Sequence, residues 1–255
     1  MKLVRFSLPA EDTICSGLLE GHSIHEFAGD MFSDRQMTGR IFDLEQVSLR
    51  APIVPNQIIG IGKNFVPDNA EKPSIPEMPI LFFKPLTTVV GPGEPVVLPQ
   101  GTDEIKFESE LAVIIGRTAK DIHPSQADDI IFGFTVANDL GAFNYFHPEG
   151  HWTIGKAFDT FCPLGPIIET DFDYRTARIH AAVNGVMKQD AAIERIITPI
   201  AEMIAYISRF MTLNPGDVIL TGTPAGSDYV RDGDVVDCWI DGIGRLSNHV
   251  QAIIR

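Results

Sequence analysis

The sequence predicts a mixed α+β fold, rich in strands, with a small N-terminal β appendage over residues 1–55 and a larger domain over residues 56–255. Three observations carry this. Short runs of branched and aromatic residues, bounded by Gly, Pro, Asn and Asp, recur along the chain and read as strands. One segment, residues 199–211, has a clear helical period, with Ile200, Met203, Ile204, Ile207 and Met211 on one face. Helices do not alternate with strands in the βαβ manner, which argues against a doubly wound sheet.

Taken in order, residues 1–50 read as short strands and turns, with Glu20-Gly21-His22 at a hairpin tip. Ala51-Pro52-Ile53-Val54-Pro55 reads as a linker. Residues 58–62 form a buried strand with glycines at its exit. Residues 67–79 carry Pro67, Pro73, Pro76 and Pro79 and read as a mobile lid. Residues 80–85 and 96–98 are strands on either side of a tight turn at Gly91-Pro92-Gly93-Glu94-Pro95. Residues 124–131 fit a short helix, with Pro124 in its first turn. Asn184-Gly185 between two strand-like runs is a strong hairpin signal. Thr198 is placed to cap the 199–211 helix, with Pro199 at its first position. Strands follow at 218–220 and 235–240.

Composition narrows the function. A chain of 255 residues buries a full core. A net charge of −14 excludes a nucleic-acid partner and an anionic membrane surface, both of which call for basic patches. No apolar stretch spans a bilayer, and the N-terminus lacks the apolar run of a signal peptide. Cys15, Cys162 and Cys238 are odd in number and far apart, which fits free thiols in a reducing cytoplasm. Gly60-x-Gly62 lacks a third glycine, and Thr221-Gly222-Thr223-Pro224-Ala225-Gly226 lacks a Gly-Lys-Ser/Thr ending. Neither is a nucleotide loop.

The chemistry gathers at Phe107-Glu108-Ser109-Glu110-Leu111-Ala112-Val113-Ile114-Ile115-Gly116. The run 111–115 reads as a buried strand. Side chains alternate along a strand, so Glu108 and Glu110 point the same way. Adjacent carboxylates at a buried strand need a positive charge between them. A second strand-like run, residues 132–137, ends at Asn138-Asp139. Three carboxylates at the ends of two strands make an oxygen-only site suited to Mg²⁺ or Mn²⁺ rather than zinc.

The chain also carries an ordered series of motifs. These are Phe-Lys-Pro at 83–85, Gly-Pro-Gly-Glu-Pro at 91–95, Phe-Glu-Ser-Glu-Leu-Ala-Val at 107–113 and Ala-Asn-Asp at 137–139. Gly-Lys-Ala-Phe-Asp-Thr-Phe at 155–161, Val-Asn-Gly at 183–185 and Leu-Asn-Pro-Gly-Asp-Val-Ile-Leu-Thr-Gly-Thr-Pro-Ala-Gly at 213–226 complete it. In this the chain resembles the fumarylacetoacetate hydrolase family over roughly residues 58–250. The resemblance implies that family's C-terminal-domain fold, a homodimer, and Mg²⁺ or Mn²⁺ on Glu108, Glu110 and Asp139. It implies a small-molecule 2-oxo or 2,4-dioxo acid substrate, with Lys156 meeting substrate oxygens and Thr223 helping to hold the carboxylate. Such an enzyme cleaves a carbon–carbon bond, as an acylpyruvate-type hydrolase or an oxaloacetate-type decarboxylase, through an enolate that the metal stabilises. An enol–keto isomerase of unsaturated hydroxy-diacids is the alternative enzyme. A non-catalytic protein that binds metal and a 2-oxo acid is the alternative of another class.

Two departures stand out. Many members carry Asn-Tyr-x-x-His-x-x-Glu on the lid; here Glu71 is kept but Asp68 stands at the His position. Many members follow the metal-binding Asp with Val-Ser-Ala-Arg-Asp; here Phe143 replaces the Arg. Asp68, Glu71, His147 and His151 are therefore the candidates for acid–base work beside Lys156, and Lys63 is the candidate replacement for the lost positive charge.

Overall fold

The central strand, Ser109–Ile115, shows how the apolar runs become a fold. In the computed structural model, which describes residues 1–9, 13–67, 69–102 and 104–253, every residue of this strand is buried. Leu111, Val113 and Ile115 join one core cluster, and Ala112 and Ile114 join a second. Burial on both faces is why the sequence reads as an unbroken apolar run and not as an alternation. Each fully buried Val, Leu or Ile contributes about 1.5–3 kcal/mol.

Among the described residues the strand sits inside a twelve-stranded sheet and faces a second, five-stranded one. The large sheet runs in the order Arg35–Asp43, Ser23–Gly29, Ile14–Glu20, Lys2–Ser7, Cys162–Glu169, Ile131–Asn138, Ser109–Ile115, Val218–Leu220, Ile58–Gly62, Ile80–Lys84, with Ser48–Arg50 paired to Lys2–Ser7 and Val89–Val90 to Cys162–Glu169 off this path. The larger cluster fills the space between the sheets, where Val113 and Phe134 meet Ile179, Ile240 and Leu246. Ile200–Phe210 is the single α-helix among the described residues, and its Met203, Ile204 and Ile207 join the same cluster. No helix among them is long and apolar enough to cross a membrane.

Several sequence expectations change in detail. The N-terminal strands are not a separate layer. Lys2–Ser7 pairs antiparallel with Cys162–Glu169, Lys2 opposite Glu169, so the first residues extend the main sheet. Residues 124–131 give a 3₁₀ helix, Pro124–Asp129, capped by the His123 ring accepting from the Ser125 N–H. Pro199 is the N-cap of the α-helix, with no side-chain cap bond. Thr198 does not cap it. That residue is buried, and its backbone N–H donates to Asn64 Oδ1 at 2.8 Å. The Asn184-Gly185 turn forms as expected, with φ of 51° and 77° at its two residues.

Candidate metal centre and its pocket

The sheet register assembles the site. Ser109 lies opposite Asn138 on the neighbouring antiparallel strand, so Glu108 and Asp139 emerge side by side. Two backbone bonds pin them: the Glu108 N–H donates to Asn138 Oδ1 at 2.9 Å, and the Asp139 N–H donates to the Glu108 carbonyl at 2.8 Å. Val218–Leu220, on the other flank, delivers the Thr221–Thr223 turn to the same end, where the Gly222 N–H donates to Glu110 Oε2 at 2.7 Å. A Cβ on Gly222 would lie 2.8 Å from that of Asn64, and its φ is +99°, so the turn needs glycine twice over.

Glu108, Glu110 and Asp139 each offer a carboxylate oxygen, all within 4.8 Å of one another. Two buried lysines hold the cluster. Lys156 Nζ donates to Glu108 Oε2 at 2.5 Å, to Asp139 Oδ2 at 2.7 Å and to the Asp139 carbonyl at 3.0 Å. Lys84 Nζ lies 2.6 Å from Asp139 Oδ1 and donates to the Leu140 carbonyl at 3.0 Å. Burial pushes the Asp139 carboxyl up, but Lys156 and Lys84 outweigh it and hold the group below the usual range. Burial, then the charges of Asp139 and Glu108, drives Glu110 well above the carboxylate range. Burial also raises Glu108, with Lys156 opposing. For Lys156, burial favours the neutral amine, yet Asp139 and Glu108 more than compensate and keep it charged.

Lys84 was not singled out from sequence, although its motif was. Alternation along Ile80–Lys84 places Phe82 and Lys84 on the buried face, and a lysine closing an apolar strand before Pro85 is the signal that marks it. The aromatic wall of the pocket was also missed. Phe143 stacks on Phe146 at 4.6 Å, Phe146 on Trp152 at 5.6 Å, and Trp152 meets Phe82 at 5.7 Å. Gly60-x-Gly62 finds its purpose here. A Cβ on Gly60 would lie 2.1 Å from the Phe82 ring, and one on Gly62 would lie 2.1 Å from the Trp152 ring.

Together these residues line a cavity of about 360 Å³ with the carboxylates and Lys156 inside and the aromatic rings along its side. Lys63 and Thr223 line it too. Lys63 is exposed and adopts φ +54°, a left-handed conformation uncommon for a side-chain-bearing residue. The Thr223 hydroxyl donates to the Ser109 carbonyl at 2.9 Å and accepts from Gln189 Nε2 at 2.8 Å, so its proton is already committed.

The other candidates lie elsewhere. His147 and His151 are exposed and line a separate surface pocket with Pro148 and Ile154. Glu71 is exposed and is not among the cavity-lining residues. Asp68 lies outside the described residues. The lid is less free at its start than its prolines suggested. Val66 is buried and its N–H donates to the Arg195 carbonyl, while Arg195 Nη2 donates to the Pro67 and Ala70 carbonyls at 2.6 and 2.5 Å. Residues 71–78 are all exposed.

A β-rich fold that gathers an all-carboxylate, lysine-bridged cluster at the strand ends of a pocket has the donor set that could hold a hard cation. Residues 57–251 match the model of the fumarylacetoacetate hydrolase C-terminal domain, and residues 1–52 match the Rv2993c-like N-terminal model. The chain belongs to the fumarylacetoacetate hydrolase family. It is 39% identical to the mitochondrial oxaloacetate tautomerase fahd2 of Xenopus laevis, over 82% of this chain and 70% of that protein. The structure of 5-carboxymethyl-2-hydroxymuconate delta-isomerase from Mycobacterium smegmatis superposes with a TM-score of 0.92 at 38% identity, covering 99% of this chain and 100% of that one. Maleylpyruvate hydrolase from Sphingobium sp. SYK-6, solved with manganese(II) and pyruvate, superposes with a TM-score of 0.83 at 30% identity, covering 99% of each chain.

Proposed function

We propose that this chain is a divalent-metal enzyme acting on a small 2-oxo or 2,4-dioxo acid, with Mg²⁺ or Mn²⁺ held by Glu108, Glu110 and Asp139. The observation that carries the reading is the three carboxylate oxygens within 4.8 Å of one another, facing a cavity also lined by Lys156. The donor set fits the ion. All three ligands are hard oxygens, and Glu110 accepts from the Gly222 N–H with no lysine bonded to it, so the more distant charge of Lys156 only partly offsets its own. When bound, the cation supplies a Lewis acid for the negative charge that grows on the 2-oxo oxygen.

The protein's own groups supply the rest. Lys156 stays protonated, so it serves as a fixed positive charge beside the substrate and not as a base; its three N–H bonds go to Glu108 and Asp139, and a substrate oxygen would take one of them over. Lys63 adds a second positive charge at the cavity, and Thr223 has its backbone N–H to offer the acid, its hydroxyl proton being held by the Ser109 carbonyl. The rings of Phe82, Phe146 and Trp152 exclude water from one side. Glu71, Asp68, His147 and His151 remain the candidates for proton transfer; of these, Glu71, His147 and His151 would have to reach the cavity by closure of their loops.

Two reaction readings share this scaffold. The first is carbon–carbon cleavage, by hydrolysis or decarboxylation. The second is enol–keto isomerisation. Among the described residues no imidazole lines the cavity, and that favours decarboxylation over hydrolysis. Water attack on a carbonyl needs a base as the bond forms, whereas decarboxylation starts from a carboxylate that is already ionised. Isomerisation also needs a group to carry its proton, and its support is the names of the tautomerase and isomerase relatives, as the name of the maleylpyruvate hydrolase supports hydrolysis.

The test is steady-state turnover with Mn²⁺ over oxaloacetate, acylpyruvates and unsaturated hydroxy-diacids. Decarboxylation or tautomerisation is expected to exceed acylpyruvate hydrolysis, and a chelator is expected to abolish both. Turnover that survives chelation would overturn the metal reading, and tight binding with no turnover anywhere would make the chain a binding protein. The homodimer is supported by Met78, Ile80, Phe83 and Leu86, exposed along and beside the edge strand. Its three cysteines, two of them buried, form no disulfide among the described residues, which is compatible with work in the cytoplasm.

A further inference from the structure

Lys106 has no place in the metal cluster, yet the fold fixes it with unusual care. Its backbone is paired on two sides, with Gly141 in the short Ile105–Lys106 and Gly141–Ala142 ladder and with Tyr229 through an isolated bridge. Its ammonium lies 4.9 Å from the centroid of Phe143 and 4.7 Å from that of Tyr229. Among the described residues no carboxylate oxygen lies within ion-pair distance of it. Asp228, which feels its charge, is already taken by Lys188 at 2.9 Å. In a chain with 34 acidic and 20 basic side chains, a lysine held between two rings with no acidic partner among the described residues is a positive charge open to a ligand.

Its position relative to the metal ligands follows from the chain. Burial alternates from Lys106 to Ser109: Lys106 and Glu108 are half-buried, Phe107 and Ser109 buried. Lys106 and Glu108 therefore share a face, and an extended chain puts their Cα atoms roughly 6–7 Å apart. Phe143 lies between the two regions, since its ring lines the cavity and also carries the Lys106 ammonium. A molecule anchored by one end at Glu108, Glu110 and Asp139 and running outward along Phe143 meets Lys106 at its far end.

We propose that Lys106 is the specificity residue for a second, distal carboxylate, so that the preferred substrate is a 2-oxo diacid long enough to pass the edge of the Phe143 ring. This rests on the reading that a 2-oxo acid binds at the carboxylate cluster. The two rings orient the ammonium without neutralising it, because a ring face is a weak partner that a carboxylate outcompetes. The bland alternative is that Lys106 only staples Phe143 to Tyr229, and the two make different predictions.

The experiment compares 2-oxoadipate with its distal monoamide, of equal length but neutral at the far end, as ligands of the Mn²⁺-loaded protein, by calorimetry and by Trp fluorescence. Wild type is expected to bind the diacid at least tenfold more tightly. In Lys106→Met that ratio should fall towards one, and Lys106→Arg should restore most of it. A wild-type ratio of one, or a ratio unchanged in Lys106→Met, overturns the proposal. A staple alone would weaken both ligands equally in Lys106→Met and leave the ratio where it was. If neither molecule binds wild type in the presence of Mn²⁺, the reading of the metal site itself has failed, which is a separate result. Should Lys106→Met not fold, Lys106→Gln and the salt dependence of the wild-type ratio carry the same decision, since only the charged distal contact weakens with salt.

Discussion

Asp139 and Glu110 are both buried carboxylates in one cluster, yet their neighbours give them opposite roles. Asp139 is what keeps Lys84 and Lys156 compensated, so Asp139→Ala leaves two buried ammonium groups short of a partner. Breaking such a pair costs about 3–5 kcal/mol, and we expect urea unfolding of the metal-free variant to show a loss of that order along with lost turnover. Glu110 touches no lysine, so Glu110→Gln should abolish activity while leaving the metal-free protein as stable as wild type or more so. The pH dependence follows in sign. Glu110 has a folded pKa raised above its unfolded value, so the native state holds the extra proton between the two. Stability without metal is therefore greatest below the unfolded pKa and falls as pH rises through the raised folded value. Asp139 acts in the other direction, its contribution present above the unfolded pKa and lost as pH falls through the depressed one. Denaturation in chelator across pH should show a steeper fall in wild type than in Glu110→Gln, where the raised Glu108 still contributes; the same slope in both would sink the assignment. The three carboxylates were legible in the sequence because the spacing of Glu108 and Glu110 fixes a shared face and Asp139 ends a second recognisable strand. The rings of Phe82, Phe143, Phe146 and Trp152 were not, because they meet only when the loop after Asp139 folds back over the Ile80–Lys84 strand, and no local period records that return.

The lid is the element whose behaviour the structure most revises. Its prolines exclude a helix, as the sequence shows, but they say nothing of the clasp on the opposite segment. Arg195 donates to two lid carbonyls, and Phe65 bridges Ile196, so the segment is tied down at its root and exposed beyond. Arg195→Ala should therefore speed hydrogen exchange over residues 66–72 and raise KM more than it lowers kcat, with residues 109–115 unaffected. Unchanged exchange over residues 66–72 would show that the clasp contributes nothing. Turns were the most legible elements, since Asn184-Gly185 carries its geometry in two residues. Helix ends were less so. Thr198 has the chemistry of a cap, but Asn64 claims its backbone N–H, and a tertiary bond of that kind overrides a local preference.

At the scale of the whole molecule, the N-terminal segment shows what sequence boundaries hide. A change in motif and the Pro-rich stretch at 51–55 mark a junction, and the separate matches for residues 1–52 and 57–251 reflect it. The hydrogen bonds nevertheless cross it, because Lys2–Ser7 completes a sheet edge that Cys162–Glu169 would otherwise leave open. The opposite edge is not covered in this way. Ile80–Lys84 ends the sheet, and on or next to it Met78, Ile80, Phe83 and Leu86 are 80%, 40%, 46% and 46% exposed. Exposed apolar side chains along an unpaired strand favour association, and a second copy of this chain is the partner that the proposed homodimer supplies. Phe83 alternates with Phe82 and Lys84, whose side chains are buried, so the strand presents one face to the pocket and the other to this surface. Association would then stiffen the strand that carries Lys84 towards Asp139. We expect light scattering to show a dimer for wild type and a monomer for the double variant Phe83→Asp, Leu86→Asp, with the monomer losing affinity for Mn²⁺ as that strand loosens. A double variant that stays dimeric would place the interface elsewhere, and a monomer with unchanged Mn²⁺ affinity would uncouple the edge strand from the metal centre.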